Sequence, residues 1–281
     1  MSTRRIRQIL AEFSHNKAIR FAVFFLVLIS LLSIFAFLSP YDPDEINILN
    51  KLQGPTWAHP FGTDDLGRDY MTRVLYGGRI SLVVGVVAMG ISTLIGTTVG
   101  AVSGYFGGLI DNILMRIVDI ISSIPWMILV TIVSIYLKPG LQTIILVIGL
   151  FTWMRIARLV RAETLSIKER EYVLYAKAID QSHFFTIFRH VVPAVMPTIV
   201  VAATTGIANA IMIESSLSFL GLGVQPPISS WGSMLNRAQS ALEKAPYMAI
   251  MPGIMIILTV FSFNKLGDLI RIYVEPKALD R

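Results

Sequence analysis

Few residues of this chain have the types and spacing for chemistry. The segment His59–Asp69 (HPFGTDDLGRD) sets His59 near Asp64, Asp65 and Asp69, one imidazole and three carboxylates that could ligate a divalent cation. The same residues also read as turn and cap chemistry: Gly62 and Gly67 turn the chain, Thr63 or Asp64 caps the next helix, and Asp69 meets solvent. The second reading is the simpler, and no metal is expected here. Glu214 and Asn209 are polar residues toward the end of an apolar run. Either could line a substrate path, with the carboxylate meeting a cationic group. The simpler roles are a helix-end carboxylate at the membrane interface for Glu214 and a bond across helices for Asn209.

Several chemistries are excluded. The chain has no cysteine, which removes disulfides, thiolate nucleophiles and Cys-bound metals. It contains no G-x-x-x-x-G-K-[ST], H-E-x-x-H or G-x-S-x-G, so it carries no P-loop for ATP and no recognisable hydrolase site. No catalytic residue is assigned, no cofactor is expected, and the chain is not read as an enzyme.

The remaining polar feature is the stretch Arg155–Pro193, which carries Arg155, Arg158, Arg161, Lys168, Arg170, Lys177 and Arg189 between two apolar runs. As a helix, its Tyr172, Val173, Tyr175, Ala176 and Ile179 share one face, with Arg170, Lys177 and Gln181 opposite. A break near Asp180–Ser182 followed by Phe184–Val192 predicts helix–turn–helix, with Pro193 leading into the next apolar run. His183 and His190 are expected to pack or hydrogen-bond rather than titrate. Residue by residue, the stretch suits a protein partner as well as it suits anionic lipid.

The elements that position these residues are apolar. Hydrophobic residues make up 54% of the 281 and charged residues 15%, too few to coat a soluble surface of this size. Phe21–Leu38 is eighteen residues without an ionisable group, long enough to cross about 30 Å of hydrocarbon. It is read as a retained helix, because SPYDPDE follows it instead of a cleavage site. Five more spans are expected near Ile80–Val102, Ile124–Leu137, Gln142–Met154, Val191–Ile213 and Met248–Phe263. The net charge of +6 follows the positive-inside rule: basic residues gather in the N-terminal tail, in Arg155–Arg189 and after the last span, whereas the loop 39–79 has more acidic than basic residues. Six spans with both termini cytoplasmic satisfy it. Gly85, Gly90, Gly96, Gly100 and Gly104 in the second span, and Ala202, Ala203, Gly206, Ala208 and Ala210 in the fifth, predict helices packed closely inside a bundle. Trp231, beyond Pro226 and Pro227, is expected in a structured extracytoplasmic loop at the membrane interface.

The segment EYVLYAKAIDQSHFFTIFRHVVP resembles the cytoplasmic loop of ABC importer permeases, whose consensus reads E-A-A-x3-G-x9-I-x-L-P, and it is closest to the peptide/nickel branch. Glu171, Tyr172 and Val173 match that branch's opening, and Ala176, Ala178, Arg189, His190 and Pro193 keep the spacing. Leu174 and Tyr175 depart from the consensus, and Asp180 stands where a turn glycine is expected. HPFGTDDLGRD with RVLYGGRISL, and SFLGLGVQPPISSWGSML, are similar to two further blocks of that branch. The resemblance implies an all-α polytopic permease of the type I importer fold, the C-type subunit of its pair. Residues 1–78 would form a tail, first span and extracytoplasmic segment, and residues 79–275 the core permease domain, with a coupling loop at about 155–193. It further implies an ATPase-coupling set of Arg170, Glu171, Tyr172, Val173, Ala176, Lys177, Ala178, Asp180, Arg189 and Pro193. The expected partners are a homologous permease, two ATPase subunits that bind ATP and Mg, and an extracytoplasmic binding protein, all at a bacterial or archaeal cytoplasmic membrane. The expected cargo is oligopeptides or dipeptides, with nickel or opines as the alternative within the branch. A stand-alone secondary transporter is the alternative outside it.

Overall fold

The computed structural model describes Phe13 and residues 16–274. The described residues form a bundle of long helices with no strand, and five helices are long and apolar enough to cross a membrane. A bent pair adds a sixth crossing if its two halves count as one span.

The first helix, α1 (Lys17–Ile34), starts where the Asn16 side chain accepts hydrogen bonds from the Ala18 and Ile19 N–H groups at 3.1 and 3.3 Å. A 3-10 turn, Phe35–Leu38, completes the first span. The next helix, α2 (Tyr70–Phe106), is capped by Asp69 and not by Thr63 or Asp64. One Asp69 oxygen accepts from the Thr72 N–H at 2.8 Å and from its hydroxyl at 2.6 Å, while the other meets His59 Nδ1 at 2.9 Å. Asp69 is therefore buried, contrary to the solvent-facing expectation, because it satisfies both a helix end and an imidazole. Asp64 instead pairs with Arg68 through a 2.7 Å contact to Nε. The turn role of Gly62 and Gly67 holds, at φ +75° and +76°. A Cβ on Gly67 would lie 1.7 Å from the Asn47 carbonyl oxygen.

The expected third span, Ile124–Leu137, is one short helix, α4 (Trp126–Tyr136), and only half of a bent pair. Pro125 biases Ile124 to an extended conformation (ψ 125°) and separates α4 from the preceding helix, α3 (Gly108–Ser123). The pair bends by 83°, and α4 alone, at about 16 Å, is too short to cross. The fourth span is longer than expected. Its helix, α5 (Leu141–Ile167), runs past Met154 and carries Arg155, Arg158 and Arg161 with it. After the short helices of the basic segment come α8 (Val192–Phe219), a short loop helix α9 (Trp231–Ala238) and α10 (Tyr247–Val274).

Helix α2 packs most extensively on α5, then on α8. Its glycine stripe faces mainly α5: a Cβ on Gly100 would lie 2.5 Å from the Ala157 carbonyl oxygen and 2.8 Å from Val160 Cβ. Toward α8 the close contacts are Gly85 against Ile211 and Gly206 against Met89. Replacing Gly100 by Leu is expected to force these helices apart at a cost of about 1–3 kcal/mol. Gly90 has nothing within 4 Å of a built Cβ, so Gly90→Ala should not lower thermal melting in detergent.

Trp231 does not face the lipid headgroups. It is fully buried, because Gly77 and Gly78 on α2 leave room for its indole. Ser230 and Ser233 form a reciprocal capping box beneath it, with bonds of 3.2 and 2.8 Å.

Candidate functional site

The basic segment begins where α5 ends. Arg170 is the N-cap residue of α6 (Glu171–Ala178), and Glu171 places a carboxylate in the first turn, where the helix dipole favours it. The helix closes as a Schellman turn: the Asp180 N–H donates to the Lys177 carbonyl and the Gln181 N–H to the Ala176 carbonyl, both at 3.1 Å. Asp180 takes the left-handed conformation at φ +57°, the conformation a glycine accepts without strain. Asp180→Gly should stabilise α6 by up to about 1 kcal/mol, read as slower amide hydrogen exchange across Glu171–Ala178.

Ser182 then caps α7 (His183–Thr186), accepting from the Phe185 N–H at 3.3 Å. A π turn, Ile187–Val191, passes directly into α8, and Pro193 is the second residue of α8, where the chain leaves the π turn. The two histidines are held as expected, His183 Nδ1 at 3.2 Å from the Tyr105 hydroxyl and His190 Nε2 at 3.2 Å from Gln181 Oε1.

The expected apolar face of α6 divides. Val173 and Ala176 are buried, and Val173 joins the core around Tyr105, Ile167, Ile187 and Val191. Tyr172, Tyr175 and Ile179 stay exposed, because so short a helix resting on a shoulder of the bundle can bury only one narrow strip. Lys177 lies with its ammonium 5.0 Å from the centre of the Tyr105 ring. The outward surface is therefore apolar and aromatic: Tyr172, Leu174, Tyr175, Ile179, Phe184 and Phe185, with Arg189 also exposed.

A second feature is a cavity of about 670 Å³ between α5, α8 and α10. Its polar lining includes Thr152, Arg155, Glu163, Asn209 and Arg271. Sequence reasoning found Asn209 but counted Arg155 only as a basic loop residue. Glu214 does not line it. Its carboxylate is fully buried five residues before the end of α8, accepting from Ser218 at 2.7 Å and from Ser81 on α2 at 3.1 Å. The helix-end interface reading fails because α8 continues past the apolar run. Serine spacing in the sequence carried no signal for this pairing. Among the described residues no group of three or more His, Asp or Glu gathers to hold a metal.

Comparison with known proteins adds two family matches and three relatives. Residues 96–280 match the family of the binding-protein-dependent transport system inner membrane component, and residues 5–55 match the N-terminal TM domain of oligopeptide transport permease C. The chain is 40% identical to the oligopeptide transport system permease protein OppC of Bacillus subtilis, over 95% of this chain and 88% of that protein. It is 39% identical to the glutathione transport system permease protein GsiD of Pectobacterium atrosepticum (92% and 87% covered) and 38% identical to the dipeptide transport system permease protein DppC of Alkalihalophilus pseudofirmus (94% and 88% covered).

Proposed function

The chain belongs to the binding-protein-dependent transport inner membrane components, as a C-type permease of the peptide/nickel branch of ABC importers, and we propose that it moves short peptides into the cytoplasm. The relatives named above carry oligopeptides, dipeptides or glutathione by their names, which supports peptide cargo over nickel or opines. In this reading the chain forms half of the path beside a homologous permease, an extracytoplasmic binding protein delivers cargo, and two ATPase subunits bind ATP and Mg. Both termini lie in the cytoplasm, in keeping with the charge distribution.

The observation that carries the reading is the divided face of α6. Val173 fastens the hairpin to the bundle, with Ala176 buried beside it, so a push on α6 is transmitted to α2, α5 and α8 through packed side chains. The exposed Tyr172, Leu174, Tyr175, Ile179, Phe184 and Phe185 form the docking surface for the ATPase. Arg170, Glu171, Lys177, Ala178 and Arg189 surround it, and Asp180 and Pro193 set the turn and the exit into α8. Asn209 lines the path, and Glu214 holds the outer ends of the helices together behind it.

ATP closure of the ATPase pair would move this hairpin as a lever and switch the bundle between two states, which cargo and nucleotide each bind with different affinity. Purification tests the assembly. Two ATPase copies and a second permease should accompany this chain in fixed ratio, and vesicles holding the complex should take up trialanine only with ATP. Ion-gradient-driven uptake by the chain alone would refute the reading.

A further inference from the structure

Helix α5 carries three arginines on its cytoplasmic half, and two of them are paired. Arg158 donates to Asp119 and to the Ser122 hydroxyl, both at 3.0 Å, and Arg161 clamps Asp111 through two 2.5 Å bonds. Arg155 has no hydrogen bond or ion pair with any described residue and lines the cavity between α5, α8 and α10. The two carboxylates on the same lining are committed or distant. Asp268, also on the lining, is held by Lys265 at 2.9 Å, and Glu163 lies about 12 Å farther along α5.

Depth makes this unpaired charge informative. Lys138, Pro139 and Gly140 mark the outer end of α5, and Arg155 stands roughly 21 Å along the axis from Leu141. A hydrocarbon core is about 30 Å thick, so the backbone of Arg155 lies within it. A cation at that depth costs several kcal/mol unless it faces water or a partner, and such residues mark the routes of polar cargo. Arg155 faces a polar space: Thr152 precedes it by one turn, and Asn209 stands across on α8.

We infer that Arg155 binds the free carboxylate end of the transported peptide within this cavity. The inference rests on the peptide reading above. A planar guanidinium matches a carboxylate with two parallel hydrogen bonds, and a neutral amide end cannot replace that charge-assisted pair. The Asn209 amide can donate to a remaining carboxylate lone pair, while the Thr152 hydroxyl stays bonded to the Ile148 carbonyl at 2.7 Å. The volume of about 670 Å³ lies within the range that holds a small ligand of this size. A lipid phosphate offers similar chemistry, and it would be reached by the side chain snorkelling out of the cavity toward the headgroups.

The test uses the whole importer in proteoliposomes, with saturating binding protein, and two probes: trialanine and trialanine amide. Each variant's uptake is normalised to wild type for the same probe, so the binding protein's own preference cancels. Arg155→Gln should lower trialanine uptake at least about tenfold, the loss of one charged hydrogen-bonded pair. Amide uptake should stay within about twofold of wild type, and Arg155→Lys should recover part of the trialanine loss. ATPase activity stimulated by the loaded binding protein reports an assembled complex in each variant. An equal fall for both probes, as a lipid anchor or a folding defect would give, overturns the inference, and so does no change for either. Wild-type complex that hydrolyses ATP but takes up neither probe refutes the peptide reading itself, and this site with it.

Discussion

Proline at Ala176 is expected to lower ATP-driven uptake by more than tenfold while the chain still inserts in the membrane. Ala176 is 2% exposed and sits in an eight-residue helix, so no neighbouring turn can absorb a defect. The proline ring removes one backbone donor and clashes with the carbonyl four residues earlier, at about 3 kcal/mol. The Ala176 carbonyl also closes the Schellman turn by accepting from the Gln181 N–H, so a displaced backbone there loosens the turn as well. Val173 then loses its seat beside Tyr105 and Ile187, and the lever no longer grips the bundle. The spans are untouched, because α5 and α8 are packed on α2 through contacts that do not involve α6. Uptake and ATPase activity measured together in proteoliposomes give the answer: ATP hydrolysis that no longer follows cargo delivery supports coupling through α6. Uptake at the wild-type rate with Ala176→Pro would end the coupling assignment.

The hairpin around α6 was legible because its signals are local. Charge, a turn-forming Asp180 and a capping Ser182 act within a few residues of themselves, and the left-handed turn fell where the missing glycine pointed. Long apolar runs announced the first, second, fifth and sixth spans for the same reason. Hydropathy reports only the part of a helix in hydrocarbon, which is why α5 and α10 continued well past the expected ends. The third span was misread because α3 is amphipathic and only α4 is apolar throughout, so the run of hydrophobicity marked half of a bent pair. Glu214 and Trp231 were misread together. Their partners, Ser81 and Val74, lie more than a hundred residues away in sequence, and composition says nothing about which distant hydroxyl or carbonyl a buried group will meet. Arg155 escaped notice because nothing in the sequence separates a paired arginine on α5 from an unpaired one.

That long-range contact makes Trp231 the position with the largest expected effect on stability. Its indole is fully buried, and Nε1 donates to the Val74 carbonyl at 2.9 Å. Its backbone N–H donates to Ser81 Oγ at 3.2 Å, and the Ser81 hydroxyl in turn donates to the buried carboxylate of Glu214. One residue at the start of α9 thus ties the loop helix to α2 by packing and to α8 through a shared hydroxyl. Trp231→Ala leaves a cavity against Gly77 and Gly78, which have no side chains to fill it, and is expected to cost about 3–5 kcal/mol. Trp231→Phe keeps most of the ring contact and loses the Nε1 donor, so its cost should be smaller, about 1–2 kcal/mol. Thermal melting of the purified chain in detergent separates the two. Trp57 is the matched control: at 103% exposure it packs on nothing within the chain, and Trp57→Ala should leave the melting temperature where it was. Equal melting of Trp231→Ala and wild type would mean that α9 is not a structural part of the bundle. Glu214 would then be anchored by Ser81 and Ser218 alone, without support from the loop.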